Sequence, residues 1–443
     1  MNCLHELPQL RKLEAWFPAE LVVVGVHSGK FIAERDTANI REAVLRHGID
    51  HPVVNDRQFR IWRSYAVNAW PTLVLVDPEG RVVGQQAGEL PAERLAEVIR
   101  RVVADAESAG TLDRAPRTFR PEWELEPDRM LRHPAKVRVD AASGRLFLAD
   151  TGHHRVLVVR IDADGRGGAL EAVIGGGAAG LEDGPFEAAA FRNPHGLALA
   201  GDTLYVADTE NHAIRSVDLA RGRVAVLAGT GEQARPFNPG GRGRDVALNS
   251  PWDVLVQDGA LYVAMAGPHQ IWRLDPTTGG AAPWAGTGAE ALVDGPRGEA
   301  ALAQPSGLAT DGRRLYFADA EDSAIRWAEL GAAGAVHTIV GTGLFDFGDR
   351  DGAGDEVRLQ HPLGVAWHDG VVFVADTYNG KIKRVDPATR ACNTVPIAEG
   401  ELWEPGGLDV AGGRIYVADT NHHRVAVVDP AGGPVETFEI RGA

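Results

Sequence analysis

An internal repeat in residues 130–443 constrains the fold of this chain more than any other feature. Each of six copies contains a short apolar run of the strand type, and in five of them the run ends in Ala-Asp. The six runs are 146–150, 204–208, 261–264, 315–319, 372–376 and 415–419. They recur at intervals of roughly 40–60 residues, the spacing of the blades of a β-propeller.

Each repeat contains four runs of this kind, separated by Gly, Asp, Asn and Pro, and none of them has a helical period. A proline opens every unit, at Pro134, Pro194, Pro251, Pro305, Pro362 and Pro405. Such a unit is typical of a four-stranded antiparallel blade, and a single blade leaves both of its faces uncovered. We therefore predict an all-β six-bladed β-propeller over residues 130–443, in which 435–440 completes the sixth blade.

Residues 1–108 alternate between helical and strand patterns, which predicts an α/β domain. The predicted helices are 3–17, 37–46, 59–65 and 92–104. The predicted strands are 21–26, 52–54, 73–76 and 81–83, of which 21–26 is expected to be fully buried. Residues 109–129, with Pro116, Pro121 and Pro127, are predicted to form a linker.

The turn after the second strand of a blade carries a specific signature. Residues 149–156 and 418–425 both read Ala-Asp-Thr-x-His-His-Arg-Val, which resembles the NHL repeat. The third unit departs from it with Met265 in place of Asp, and the fourth with Ala320 in place of Thr. We expect these two blades to lack a hydrogen bond of the turn. The histidines of these turns, together with Asp150 and Asp419, are expected to be structural rather than metal ligands, because they belong to different blades.

The amino-terminal domain resembles a thioredoxin-like domain in its element order and in Trp70-Pro71-Thr72, which implies a cis Pro71. The combination with NHL repeats resembles the NHL-repeat-containing protein 2 family, whose active-site segment reads Cys-Cys-Ile-Asn-Cys. Asn2-Cys3 matches the end of that segment. The resemblance implies that Pro71 faces Cys3, and that the first strand and the partner thiol are missing here.

Two interpretations of the missing strand stay open. Either the reading frame begins upstream of Met1, which the cost of an unpaired central strand favours, or the domain is a remnant without redox chemistry. Cys3 is then either a lone reactive thiol at a helix amino terminus or a cysteine without a role. Because exchange of a dithiol for a disulfide needs two sulfurs, a thiol–disulfide oxidoreductase is expected only in a longer parent protein.

A second candidate site lies at the mouth of the propeller channel. Residues just after the opening prolines are expected to point into a polar, water-filled pore, and these are Lys136, His195, Trp252, Asp253 and Ser306. One histidine and one carboxylate are fewer than the three protein ligands of a catalytic zinc, so no metal and no cofactor are predicted. A metal-dependent lyase or hydrolase using Lys136, His195 and Asp253 is the alternative.

The long loops between blades are the preferred functional surface. They span 175–193, 229–249, 286–304 and 341–360, and propellers commonly use such loops for recognition. We expect a scaffold that binds an unknown protein or peptide on this loop face. A formal charge of −16 argues against nucleic acid as a partner, and no apolar run is long enough to span a membrane. A cytoplasmic monomer is expected.

Overall fold

In the computed structural model, which describes residues 2–115, 117–234 and 238–442, the chain divides into two compact units, Met1–Asp128 and Arg129–Ala443. Met1 and Pro116, which entered the predictions of the start and of the linker, lie outside the described residues. Among the helices described, none is long and apolar enough to cross a membrane.

The first unit contains four α-helices and four strands in the described residues. They are α1 (Asn2–Trp16), β1 (Gly25–His27), α2 (Thr37–Arg46), β2 (Val53–Asn55), α3 (Arg60–Ser64), β3 (Thr72–Val76), β4 (Val82–Ala87) and α4 (Ala92–Ala109), with 3-10 turns at Ala33–Arg35 and Glu122–Leu125. β1 pairs in parallel with β2, and β3 pairs antiparallel with β4. This order confirms the predicted α/β, thioredoxin-like sequence of elements.

Side-chain caps explain where two of these helices begin. Asp36 accepts a hydrogen bond from Ala38 N at 2.8 Å and caps α2. Asp56 accepts from the backbone nitrogens of Arg60 and Trp62 at 2.7 and 2.9 Å, and so holds the start of α3. The core of the unit lies between α1 and α4, where Leu13 packs with residues of both helices.

The prediction of a fully buried strand over 21–26 is wrong. Only Gly25–His27 forms a strand, and the alternate residues Val22, Val24 and Val26 are 47%, 51% and 42% exposed. In the described part of the chain, β1 and β3 each pair with a single neighbour, so the unit holds two separate two-stranded sheets. Val22, Val24 and Val26 are exposed because no described element covers their face, whereas Leu21 packs against the core between α1 and α4.

The second unit is a six-bladed β-propeller, as predicted. Blade 1 contains β5 (Lys136–Asp140), β6 (Arg145–Asp150), β7 (Arg155–Ile161) and β8 (Gly167–Ile174). Blade 2 contains β9 (Gly184–Pro185), β10 (Pro194–Ala200), β11 (Thr203–Asp208), β12 (Ala213–Asp218) and β13 (Arg223–Ala228). Blade 3 contains β14 (Gly241–Arg242), β15 (Pro251–Gln257), β16 (Ala260–Met265), β17 (Gln270–Leu274) and β18 (Gly280–Ala285).

The remaining blades follow the same plan. Blade 4 contains β19 (Gly295–Pro296), β20 (Pro305–Thr310), β21 (Arg314–Asp319), β22 (Ala324–Glu329) and β23 (Ala335–Val340). Blade 5 contains β24 (Gly352–Ala353), β25 (Gly364–His368), β26 (Val371–Asp376), β27 (Lys381–Val385) and β28 (Ala391–Thr394). Blade 6 contains β29 (Pro405–Ala411), β30 (Arg414–Asp419), β31 (Arg424–Val428) and β32 (Glu436–Thr437), and is followed by β33 (Glu439–Arg441).

The six blades close into a ring. The innermost strands β5, β10, β15, β20, β25 and β29 each contact the next, and β29 contacts β5. The prediction that 435–440 completes the sixth blade is only half right, because β33 leaves blade 6 and pairs in parallel with β8 of blade 1. In blades 2 to 5 the corresponding fifth strand is instead a two-residue segment of the preceding loop, paired antiparallel.

Candidate functional site

The aspartate that ends the second strand of a blade organises the turn behind it. Asp208 is fully buried, and its Oδ1 accepts a hydrogen bond from Arg192 N at 2.8 Å. Its Oδ2 accepts from Asn211 Nδ2 and Arg215 Nη1 at 2.8 and 2.9 Å. Asp150, Asp319, Asp376 and Asp419 also accept a backbone N–H from the segment before their blade. These carboxylates are structural acceptors.

The threonine after this aspartate connects neighbouring blades. Thr209 Oγ1 donates to the carbonyl oxygen of Pro251, the proline that opens the next blade, at 2.7 Å. The same bond joins Thr151 to Pro194, Thr377 to Pro405 and Thr420 to Pro134. Blades 3 and 4 have Ala266 and Ala320 at this position and therefore lack the hydroxyl that makes the bond. The loss was expected for blade 4 from Ala320, whereas the expectation for blade 3 rested on Met265.

The histidines of these turns make a second connection between blades. His212 has a φ of 47°, and its Nδ1 accepts a hydrogen bond from Ser250 N, just before the next opening proline, at 3.0 Å. His154, His269 and His423 make the equivalent bond to Asn193, Gln304 and His133. Burial lowers the pKa of His154, which keeps its ring neutral and able to accept.

A buried cation anchors each of three loops between blades. Arg215 is fully buried and contacts both Asp208 and Asp183, the aspartate of an Asp-Gly pair in the loop 175–193. Arg326 likewise joins Asp319 to Asp294 of the loop 286–304. Each of these two aspartates also accepts a backbone N–H from the long strand next to the outer edge of its blade, as Asp183 does from Val226 of β13 at 3.0 Å. The Asp-Gly pairs therefore fix the loops in place.

Blade 5 differs because its buried cation is a lysine. Lys383 Nζ contacts Asp349 and Asp351 of the loop 341–360 at 2.7 and 2.9 Å. In the described residues, both hydrogen-bond donors to the carboxylate of Asp376 are neutral, Gln360 N and Asn379 Nδ2. Burial accordingly raises the pKa of Asp376 to about 7, and it raises that of Asp208 to about 6.

A buried ion pair crosses the centre of the propeller. Lys136 Nζ of blade 1 lies 2.7 Å from Asp253 Oδ2 of blade 3, and the side chains are only 10% and 3% exposed. Asp253 Oδ2 also accepts from Leu308 N at 2.9 Å, and Oδ1 accepts from Val254 N. Both oxygens of Asp253 are therefore occupied by protein donors. The ion pair is thus held by backbone donors as well as by its own charges.

Glycines on the innermost strands let the blades approach one another closely. A Cβ at Gly407 would lie 2.5 Å from Lys136 Cδ, and one at Gly196 would lie 2.4 Å from Asp253 Cα. The backbone nitrogen of Gly407 donates to Ala135 O at 2.6 Å. Gly407 and Gly196 thus allow β29 to approach β5 and β10 to approach β15 beside the residues of the ion pair.

The other predicted channel residues, His195, Trp252 and Ser306, make contacts of their own. The rings of His195 and Trp252 pack with centroids 4.3 Å apart, and both residues are partly exposed. Ser306 is fully buried, and its hydroxyl donates to Gln304 O at 3.1 Å. All five predicted channel residues lie on innermost strands, namely β5, β10, β15 and β20. The contact of Lys136 with Asp253 came from the structure alone.

In the first unit, Cys3 is exposed in the first turn of α1, and Pro71 is buried at the start of β3 after a cis Trp70–Pro71 bond. Burial raises the pKa of Glu6, one turn further along α1, to about 6. Cys392 is fully buried in β28, and burial raises the pKa of its thiol to about 12. The two cysteines of the chain thus belong to different units.

Comparison with known proteins agrees with both parts of the fold. A thioredoxin-like family matches residues 1–82, and the NHL repeat matches 131–159, 191–215 and 402–428. NHL repeat-containing protein 2 of Homo sapiens is 38% identical to this sequence over 454 residues, covering 92% of it. The chain is a homologue of NHL repeat-containing protein 2. It spans 62% of that human protein.

Two further similarities were found. Protein SUPPRESSOR OF QUENCHING 1, chloroplastic, of Arabidopsis thaliana is 38% identical to 93% of this chain. The chain spans 41% of the plant protein. Among solved structures, virginiamycin B lyase from Staphylococcus aureus matches with a TM-score of 0.43 and 11% identity, covering 70% of this chain and 85% of the lyase. That structural likeness is too low to indicate an activity.

Proposed function

We propose that the propeller is a binding scaffold whose loop face receives a protein or peptide partner. The observation that supports this most is the anchoring of three loops by buried cations, in which Arg215, Arg326 and Lys383 each contact an aspartate of the adjoining loop. A loop that is already ordered loses little conformational entropy on binding, so its surface is suited to recognition.

The composition of these loops indicates the kind of partner. The loops 175–193, 286–304 and 341–360 each contain more acidic than basic residues. Two large apolar side chains of these loops are exposed, Phe345 at 73% and Val293 at 46%. An exposed apolar side chain amid acidic residues favours a partner whose contact surface is basic with an apolar pocket.

The contacts of Lys136 and Asp253 argue against catalysis at the centre of the propeller. A general base or a metal ligand needs a lone pair that faces the substrate, whereas the oxygens of Asp253 accept from Lys136, Leu308 and Val254. Neither Lys136 nor Asp253 is accessible enough to reach a substrate without breaking their ion pair.

The test compares two variants of equal charge change on opposite ends of the propeller. Phe345→Asp alters the loop face, and Gly331→Asp alters an exposed turn between the third and fourth strands of blade 4, at the other end of the blade. Because both sites are exposed, both variants should keep the melting temperature of the wild type.

Proteins that co-purify with the wild-type chain are quantified by mass spectrometry and then mixed with each purified variant. We expect a direct partner to bind wild type and Gly331→Asp equally, and to bind Phe345→Asp at least about tenfold more weakly. Equal loss in both variants, or no loss in Phe345→Asp, would refute a binding surface on the loop face.

A further inference from the structure

A cavity opens at the junction between blades 2 and 3. It has a volume of about 430 Å³ and lies between blade 2 and Pro276 of blade 3. Tyr205, Ser216 and Ala225 line it, and these three residues pair side by side across β11, β12 and β13. This volume lies within the range of small-molecule sites, which are roughly 300–1,000 Å³.

The internal repeat supplies five matched junctions for comparison. The residues equivalent to Tyr205 are Phe147, Tyr262, Tyr316, Phe373 and Tyr416. All five are buried, with at most 6% of their surface exposed, whereas Tyr205 is only partly buried. The ring of Tyr205 is therefore the exception among six equivalent positions.

The residues beside Tyr205 leave room for a further ring. In blade 4, the same row contains Trp327 and His337, whose rings stack with centroids 4.3 Å apart. Blade 2 has Ser216 and Ala225 at these two positions. Both side chains are small and line the cavity, so the space beside the ring of Tyr205 is suited to a ring from outside.

The charges around the cavity select a ligand that is an anion. The carboxylate of Asp183 contacts Arg215 and Arg244, and that of Asp218 contacts Arg221. Arg223 also lines the cavity, and its guanidinium has no hydrogen bond or ion pair with any described residue. A carboxylate is the group that a guanidinium binds with two parallel hydrogen bonds.

We propose that this cavity is a binding site for a small aromatic carboxylate. The ring of the ligand stacks on Tyr205, and its carboxylate pairs with Arg223. The hydroxyls of Thr203 and Tyr205, which make no hydrogen bond with a described residue, are available to polar substituents. The proposal does not rest on the loop-face partner, because the two contacts that would hold the ligand come from Tyr205 of β11 and Arg223 of β13.

The probes are naphthoate and its uncharged counterpart naphthamide, titrated into the full chain by isothermal calorimetry. Naphthoate is expected to bind the wild type at least about tenfold more tightly than naphthamide does. Arg223→Gln should abolish that difference. Arg166→Gln, an equal charge change at an exposed arginine of blade 1, should preserve it.

Two substitutions fill the cavity with the residues that blade 4 uses. Ser216→Trp and, independently, Ala225→His should each abolish binding of naphthoate while circular dichroism shows a folded protein. If Ser216→Trp does not fold, the smaller change in Ala225→His decides. Absence of binding to the wild type, unchanged binding to a folded filled variant, or equal losses in Arg223→Gln and Arg166→Gln would overturn the proposal.

Discussion

Removal of the carboxylate of Asp253 should destabilise the propeller far more than removal of an exposed ion pair. In Asp253→Ala, the ammonium of Lys136 loses its partner at 2.7 Å while its side chain stays only 10% exposed. The backbone nitrogen of Leu308 loses its acceptor as well. The variant therefore leaves a charge and a polar donor buried without compensation, and both are costly.

The structure gives the expected magnitude and its control. Breaking one partner of a buried ion pair costs about 3–5 kcal/mol, whereas an exposed pair contributes about 0–1 kcal/mol. Glu436→Ala removes the exposed contact of Glu436 with Arg166, whose side chains are 37% and 58% exposed. The double variant Lys136→Met/Asp253→Ala should cost less than the sum of its single changes, because it removes the unpaired charge too.

The assay is urea unfolding of the full chain, followed by circular dichroism and by tryptophan fluorescence, with the free energy obtained by linear extrapolation. A loss below about 1 kcal/mol for Asp253→Ala, similar to that of Glu436→Ala, would refute the reasoning. So would additive effects in the double variant, since a pair in direct contact must couple.

Three further predictions concern the contacts between blades. Thr209→Val removes the hydroxyl that donates to Pro251 O, and should lower the free energy of unfolding by about 1–2 kcal/mol in the same urea assay. Gly407→Ala places a Cβ 2.5 Å from Lys136 Cδ of the neighbouring blade and should lower the free energy of unfolding by about 1–3 kcal/mol. The control Gly331→Ala, whose Cβ would have no atom within 4 Å, should change that free energy by less than about 0.5 kcal/mol. The pKa of Asp376 is about 7 in the folded chain, above the ordinary 3.8 of an aspartate, so the folded state takes up a proton between those values and gains stability on acidification. Between about pH 7.5 and 5.5 this gain is about 2 kcal/mol, and unfolding curves of Asp376→Asn should lack it; an equal gain in the variant would contradict the raised pKa.

The sequence predicts the propeller well because each blade is a local unit. The second strands and the turns that follow them, such as Asp208 with Asn211, depend on residues a few positions apart. The repeat also identifies the departures at Met265 and Ala320. Periodicity and turn residues in a sequence indicate local structures of this kind.

What the sequence misses is long-range pairing. β33 joins β8 across about 270 residues, and Lys136 meets Asp253 across 117 residues, and no local pattern marks either contact. The burial predicted for 21–26 fails for a related reason, since an apolar run indicates a strand but not whether a neighbouring strand covers it.

The cavity beside Tyr205 can be predicted from the sequence only in part. An alignment of the six repeats shows Ser216 and Ala225 where blade 4 has two aromatic rings, so a signal was present in the sequence. The register of the strands is needed to show that the small residues share a face with Tyr205, and that register came from the structure.

Hydrogen–deuterium exchange of the full chain, measured alone and with its purified partner, tests the scaffold function most directly. The partner should slow exchange in residues 175–193, 286–304 and 341–360, and should leave exchange in the hairpins at the other end of the blades unchanged. Protection confined to those opposite hairpins, or to the innermost strands around Lys136 and Asp253, would contradict it.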